Sequence, residues 1–228
     1  MDRRLRVTPC LIDHITVTAP SLEAGAALVR AVLGVSPQAG GEHGRMGTHN
    51  LLLRLGDDRF LEVIACNPAA PAPNRPRWFA LDELRPDAAP ALSAWVARSS
   101  DIRASAAASA VALGEIETMS RGSLDWLITI SRDGSLPLGG IAPLLIQWQS
   151  GGHPASTLPD HGLSLAGLEL HHPEPERIAG LLASLGLEHA VHVTAAATGA
   201  PPQLVAHIDT PQGMRRLPPA SAGPVADR

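Results

Sequence analysis

Apolar residues recur at helical spacing in three segments of the chain, each closed by a glycine. The segments cover 21–34, 101–114 and 173–186, with apolar side chains three or four positions apart. Ser21 and Asp101 suit helix N-caps, because their side-chain oxygens can accept from free backbone N–H groups. A glycine takes the left-handed conformation just past a helix end at little cost. We therefore predict three helices.

Each predicted helix follows a short strand-like run and precedes further extended segments. The runs before the helices are 12–19, 92–99 and 163–171. The segments after them are 50–55 and 60–65 in the first copy, 116–119, 124–131 and 144–149 in the second, and 191–193, 203–209 and 213–217 in the third. The turn Gly56-Asp57-Asp58 is typical of a hairpin. This order predicts a repeated βαβββ unit.

The predicted fold is α+β, with two full βαβββ modules and a third, shorter copy forming curved mixed sheets around a cleft. Module 1 covers 11–66, module 2 covers 91–150 and the third, partial module covers 163–217. The Pro-rich stretch 67–90 is interpreted as a linker that packs over a sheet edge, rather than as a functional lid. The tail 218–228 has no apolar periodicity and is expected to be disordered.

The amino-acid composition and net charge exclude several classes of function. The chain has 228 residues, a net charge of −4 and 18 basic residues, all of them arginine. Without lysine, Schiff-base and P-loop chemistry are excluded. The absence of a basic cluster argues against nucleic acid, and the absence of an apolar run near ~18 residues argues against a membrane span. The opening residues lack a signal-peptide pattern, so we expect a cytoplasmic protein in which Cys10 and Cys66 are free thiols.

Several short motifs follow one another in an informative order. Residues 12–15 (IDHI) open the first module and 60–63 (FLEV) close it, with 47–50 (GTHN), 143–148 (PLLIQW) and 153–154 (HP) as further motifs. Together with the βαβββ repetition, they resemble the vicinal-oxygen-chelate superfamily of glyoxalase I, extradiol dioxygenases and bleomycin-resistance proteins. More narrowly, the chain is similar to the glyoxalase-like-domain proteins.

The resemblance implies one divalent metal at the base of the cleft, held by a His on the first strand and a Glu on the last strand of each module. His14 and Glu62 fit these positions in module 1. In module 2, Ala94 stands at the His position and Gln147 at the Glu position, where its oxygen can still coordinate some cations. The identity of the metal (Mg, Mn, Fe, Ni or Zn) is left open. Four histidines are candidates to complete the set: His43, His49, His153 and His161.

Strand alternation places His14 and Glu62 on one face, towards the cleft. Without a metal, Glu62 can act as a general base oriented by His14, or the pair can simply line a ligand pocket. Further substrate-binding candidates are Asn50, Arg54, Arg121, Trp126, Gln147 and His153. Arg121 suits a substrate carboxylate, although a surface ion pair fits it equally well. Trp126 is interpreted as core in preference to pocket.

Two functions follow from these observations. The first is a glyoxalase-like enzyme with isomerase, lyase or dioxygenase-type chemistry on a substrate with neighbouring oxygens, with or without a divalent metal. The alternative is a non-catalytic protein that sequesters a small molecule, as bleomycin-resistance proteins do. Both imply a small-molecule partner, and a homodimer is left open.

Overall fold

The computed structural model describes residues 8–149 and 152–217, so the tail predicted at 218–228 lies outside the described residues. The first unit contains β1 (Leu11–Thr18), α1 (Leu22–Leu33), β2 (Gln38–His43), β3 (Thr48–Arg54) and β4 (Phe60–Cys66). The second contains β5 (Ala91–Arg98), α2 (Ile102–Ala108), β6 (Glu115–Arg121), β7 (Leu124–Ile130) and β8 (Leu144–Trp148). The third contains β9 (Ser164–His172), α3 (Pro175–Leu185), β10 (His192–Ala195), β11 (Gln203–Thr210) and β12 (Gly213–Leu217).

Local capping chemistry sets the helix ends. The Ser21 side chain caps α1, and Gly34 closes it in the left-handed region at φ 76°. The helix α2 ends at Ala108, well before the glycine predicted to close it. Ser109 leaves the helical region, and its hydroxyl donates to the carbonyl of Val111 (2.8 Å). A serine that bonds the nearby backbone competes with the helix and stops it early.

One eight-stranded sheet carries the first two units, in the order β2-β3-β4-β1-β5-β8-β7-β6. The strands β1 and β4 pair in parallel, as do β5 and β8, while β1 and β5 meet antiparallel at the centre. The α+β class predicted from the sequence is confirmed. The sheet curves into a half-barrel whose centre is the β1–β5 pair.

The two faces of this sheet bury different side chains. Ile15 of β1 and Leu61 of β4 belong to a large apolar layer on the helix side, and both are 0 % exposed. The concave face carries a second apolar cluster that includes Ile64, Trp78 and Trp126. Strand alternation separates the two sets, and polar residues on the concave face are thereby brought towards one another.

The third unit forms its own four-stranded sheet, in the order β10-β9-β11-β12. Its first strand lies between β10 and β11, whereas the first strand of each earlier unit pairs with the last. This sheet packs on the helix side of the larger one, with β11 against β5 and β12 against α1. In the described part of the chain, no helix is long and apolar enough to cross a membrane.

Candidate functional site

A cavity opens on the concave face of the eight-stranded sheet, between the first two units. The space between its walls is about 30 Å³, room for one or two water molecules. Its walls are mostly aromatic and aliphatic, with four polar side chains among them. The lining residues are His14, His43, Phe60, Glu62, Trp78, Phe79, Arg121, Trp126, Ile128, Ile146 and Trp148.

The pair predicted from strand alternation, His14 and Glu62, meets in this cavity. In the parallel β1–β4 ladder Thr16 lies opposite Glu62, so His14 is its diagonal neighbour. The His14 Nε2 atom lies 3.7 Å from Glu62 Oε2, and both residues are buried. The imidazole of His14 stacks on the ring of Phe60 with 4.4 Å between centroids, which fixes its plane.

Asp13 joins His14 on the cavity side because β1 carries a bulge at this point. The β1–β5 register shifts between Ile12 and His14, which leaves Asp13 as an extra residue on β1. A bulge interrupts the alternation of side chains and re-aims one of them. Ile12 therefore packs on the helix side, whereas Asp13 Oδ1 lies 2.7 Å from His14 Nδ1. Sequence reasoning missed this contact, since no residue pattern marked the bulge.

The Asp13 carboxylate is wholly buried and multiply bonded. Trp148 Nε1 donates to its Oδ2 (3.0 Å), His153 Nε2 lies 3.1 Å from the same oxygen, and Arg98 Nη1 lies 3.5 Å away. Burial alone would raise the pKa of Asp13, but hydrogen bonds and positive charge from His14 and His153 outweigh it and hold that pKa well below its usual range. Asp13 is therefore an anion that fixes Nδ1 of His14 and leaves Nε2 facing Glu62.

Glu62 is held by two further side chains. Asn50 Nδ2 donates to Glu62 Oε1 (2.6 Å), and the Asn50 Oδ1 atom accepts from the backbone N–H of Gly41 (3.0 Å). The Thr16 hydroxyl donates to Glu62 Oε2 (3.5 Å). Asn50, a predicted substrate-binding residue, thus acts on the carboxylate and positions it. Its partner Gly41 lies on β2, a strand that the sequence did not predict.

His43 occupies the opposite wall as a neutral imidazole. Its Nδ1 lies 3.1 Å from Thr48 Oγ1, which also accepts from Trp78 Nε1 (3.2 Å). Burial, with a smaller contribution from the charge of Arg121, lowers the pKa of His43 to about 3. A histidine with so low a pKa is uncharged throughout the physiological range.

Arg121, at the end of β6, reaches the cavity as predicted. It is half-buried, and its Nη1 lies 3.5 Å from Nε2 of His43. Among residues 8–149 and 152–217, no carboxylate oxygen lies within 4 Å of its guanidinium group, so the predicted alternative of a surface ion pair is not observed there. Burial lowers the pKa of Arg121, while the charge of Glu62 opposes this shift.

Two predicted site residues lie elsewhere. Gln147, predicted as a metal and substrate ligand, points to the helix side, where its Oε1 accepts from the backbone N–H of Ile102 (2.9 Å) at the start of α2. Arg54 closes the turn after β3: its Nε donates to the carbonyl of Gly56 (2.9 Å) and its Nη2 to Asp57 (2.6 Å). Neither lines the cavity, so both expectations are corrected.

The register between β1 and β5 shows which residues of the two units correspond. Ala94 corresponds to His14, as predicted. The position of Glu62 is taken by Leu144, and not by Gln147. The register pairs that establish this are His14 with Val96, Thr16 with Ala94, Thr16 with Glu62, and Val96 with Leu144. The second unit therefore offers two apolar side chains where the first offers an imidazole and a carboxylate.

The segment between the first two units, interpreted from the sequence as a linker that packs over a sheet edge, contributes part of the cavity wall. Trp78 and Phe79 line the cavity and are 3 % and 4 % exposed. Phe79 and Ala80 adopt positive φ angles, and the Ala80 N–H donates to the carbonyl of Gly134 (2.9 Å). Trp126, interpreted as core, is buried and also lines the cavity.

Comparison with known proteins agrees with this architecture. A family model described as a glyoxalase-like domain matches residues 12–186. The chain belongs to the glyoxalase-like domain family. The resemblance to the vicinal-oxygen-chelate superfamily is thereby confirmed. No curated protein matches the chain.

Solved structures resemble the chain at low sequence identity. A hypothetical protein from Staphylococcus aureus has a TM-score of 0.55 at 10% identity, covering 92% of this chain and 86% of its own. A methylmalonyl-CoA epimerase variant from Streptomyces coelicolor has a TM-score of 0.41 at 16% identity, covering 64% and 100%. A 4-hydroxymandelate synthase mutant from the same organism has 0.49 at 11%, covering 90% and 60%. The Staphylococcus aureus structure, at 10% identity, shows a shared fold alone.

The donor set of this family member does not fit the implied metal. In the described residues, no group of three or more His, Cys, Asp or Glu side chains is arranged to hold a metal ion. His14 and Glu62 supply two donors, whereas Ala94 and Leu144 supply none at the corresponding positions of the second unit. His43 faces the cation of Arg121. A catalytic metal usually needs three protein ligands.

Proposed function

We propose that this glyoxalase-like protein is an enzyme that transfers a proton on a small molecule with neighbouring oxygens, without a metal. The observation that carries the proposal is the buried row Asp13–His14–Glu62, with 2.7 Å and 3.7 Å between successive polar atoms. Acid and base groups that share a water-poor cavity are the usual means of proton transfer next to a carbonyl.

Each member of the row has a distinct part. Asp13 holds Nδ1 of His14, so that Nε2 is presented to the cavity in a fixed orientation. Glu62 accepts the proton from the substrate carbon, and Asn50 and Thr16 keep its carboxylate in place. His14 Nε2, next to Glu62 Oε2, exchanges a proton with the substrate oxygen on which charge develops.

A second function is favoured by the apolar walls. Three tryptophans and two phenylalanines line the cavity, and the second unit contributes no ligating groups at the symmetry-related positions. Such a pocket suits a protein that sequesters an apolar molecule without converting it.

The test follows proton exchange directly. Hydroxyacetone and 2-oxobutyrate are incubated with the protein in D₂O, and NMR records loss of the protons next to the carbonyl. We expect exchange above the uncatalysed rate that survives a chelator and falls at least about 100-fold in Glu62→Gln. Glu176→Gln, an exposed carboxylate on α3, is the matched control and keeps the rate.

Two outcomes would contradict parts of the proposed mechanism, and a third would favour the alternative function. Exchange that Glu62→Gln does not reduce contradicts the role of Glu62. Exchange that a chelator abolishes and an added divalent metal restores contradicts metal independence. Binding of either molecule without exchange supports the sequestering protein instead.

A further inference from the structure

We propose that Arg121 forms a carboxylate subsite at the junction between the inner cavity and an outer groove, and that the substrates are small monocarboxylic acids with an apolar body. The inference deepens the proposed function by naming a substrate class. The binding step can be measured without turnover, so it stands or fails separately from the reaction.

The first observation is the position of the Arg121 side chain. It lines both the inner cavity and an open groove of about 550 Å³ that runs between β2 and the turn after β6. The groove gives an anion a path from solvent to the guanidinium group, even though the inner cavity is narrow. The apolar part of the same ligand then faces the aromatic wall of the inner cavity.

The second observation is that no carboxylate makes direct contact with the guanidinium group in the described residues, although the charge of Glu62 acts on it. As noted above, no carboxylate of the described residues approaches the guanidinium within 4 Å, although Arg121 is half-buried. In the described part of the chain, Arg121 Nη1 lies 3.5 Å from Nε2 of neutral His43, which can accept a hydrogen bond and carries no charge. A partly desolvated guanidinium that no described carboxylate contacts directly is suited to bind a ligand carboxylate through two parallel hydrogen bonds.

The third observation is that β2 leaves space for the arginine stem. A Cβ atom added at Gly41 would lie 2.9 Å from Arg121 Cδ, closer than real contacts allow. The β2–β3 register shifts between Ala39 and Gly41, so the strand bulges beside the arginine. The N–H of Gly41 also bonds the Asn50 side chain that holds Glu62. One glycine thus places both the anion subsite and the base.

The experiment compares acids with their neutral amides. Propionate and benzoate, and propionamide and benzamide, are titrated against tryptophan fluorescence, since Trp78, Trp126 and Trp148 line the cavity. We expect each acid to bind about tenfold or more tightly than its amide, because a charge-assisted pair is stronger than a neutral one. In Arg121→Gln this preference disappears. In Arg132→Gln, which removes an exposed arginine paired with Glu115, the preference is retained.

The remaining outcomes overturn the proposal or separate it from the reaction. Equal affinity for acid and amide in the wild-type protein, or an unchanged preference in Arg121→Gln, overturns it. If Arg121→Gln fails to fold by circular dichroism, Gly41→Ala displaces the side chain instead and should weaken binding of the acids selectively. In Glu62→Gln the preference for acids persists. If the wild-type protein binds the acids but catalyses no proton exchange, the proposed reaction is refuted and the subsite stands.

Discussion

Asp13 is completely buried, and its two carboxylate oxygens serve as acceptors for two imidazoles and an indole. We expect Asp13→Asn to lower the free energy of unfolding by about 1–3 kcal/mol, because an amide cannot accept all of these bonds. The melting temperature should fall by about 2–4 °C per kcal/mol. Because folding lowers the pKa of Asp13, its contribution is present above the ordinary aspartate range and is lost as the pH falls.

Chemical denaturation at several pH values checks this expectation. The difference between wild type and Asp13→Asn should be full at pH 7 and should shrink below about pH 4. Asp57→Asn is the control, since that carboxylate is 98% exposed. An equal loss in both variants would mean that the buried network contributes nothing.

His43 contributes to the pH dependence in the same direction as Asp13, but over a higher pH range. Its pKa of about 3 in the folded protein lies far below the ordinary histidine value of about 6.5. Between these values the unfolded chain binds one proton more than the folded protein, so stability rises with pH by about 1.4 kcal/mol per unit. We expect this slope to be reduced in His43→Gln between pH 4.5 and 6.5. The slopes come from urea denaturation, and equal slopes in both proteins would contradict a neutral, buried His43.

Sequence reasoning at this scale succeeded where strand alternation is regular. It placed His14 and Glu62 on one face, and it identified Ala94 as the counterpart of His14. It failed where the ladder is irregular: the bulge at Asp13 adds a residue that periodicity does not reveal. It also failed for Gln147, which it placed at the position that corresponds to Glu62. The pairing of β5 with β8 puts Leu144 opposite Val96, so Leu144 occupies that position instead.

At the scale of elements, helices with a strong cap at each end were predicted well. The helix α1 runs between Ser21 and Gly34, as its capping residues indicate. The strand β2 escaped prediction because its sequence, QAGGEH, has no apolar alternation. Its place in the sheet comes from pairing with β3, a tertiary interaction that a local pattern cannot show. The course of the segment 67–90 depends in the same way on distant contacts.

That segment is anchored at Gly134, and this contact can be tested. Gly134 has φ 79°, and a Cβ atom there would overlap the carbonyl oxygen of Arg77. We expect Gly134→Ala to push residues 76–80 away from the cavity, which exposes Trp78 and lowers stability by about 1–3 kcal/mol. Acrylamide quenching of tryptophan fluorescence and limited proteolysis within 67–90 measure the displacement.

Gly44→Ala is the matched control for this change. Gly44 lies in the turn before β3, and nothing stands within 4 Å of an added Cβ atom. In the control, acrylamide should quench the tryptophan fluorescence as it does in the wild-type protein, and the segment 67–90 should resist protease equally well. Unaltered quenching in Gly134→Ala would show that the contact with Arg77 does not hold the segment in place.

At the scale of the whole molecule, the third unit shares its apolar layer with the first two. Ile208 of β11 and Leu182 of α3 are buried in the same cluster as Val17 and Leu92 of the larger sheet. In addition, the N–H of Cys10 donates to the carbonyl of Leu185 (2.9 Å). A shared core predicts that all three units unfold in one transition, because none can expose its face of the layer alone.

Ile208→Ala tests this coupling, because all four tryptophans lie outside the third unit. Removing a fully buried isoleucine side chain should cost about 2–5 kcal/mol. If the core is common, the unfolding transition seen by tryptophan fluorescence shifts by that amount and still coincides with the transition in circular dichroism. Met214→Ala, at a residue that is 59% exposed, should leave both transitions in place. A tryptophan transition that stays fixed in Ile208→Ala, while circular dichroism shows an earlier loss of strand signal, would establish instead that β9–β12 unfold as an independent domain.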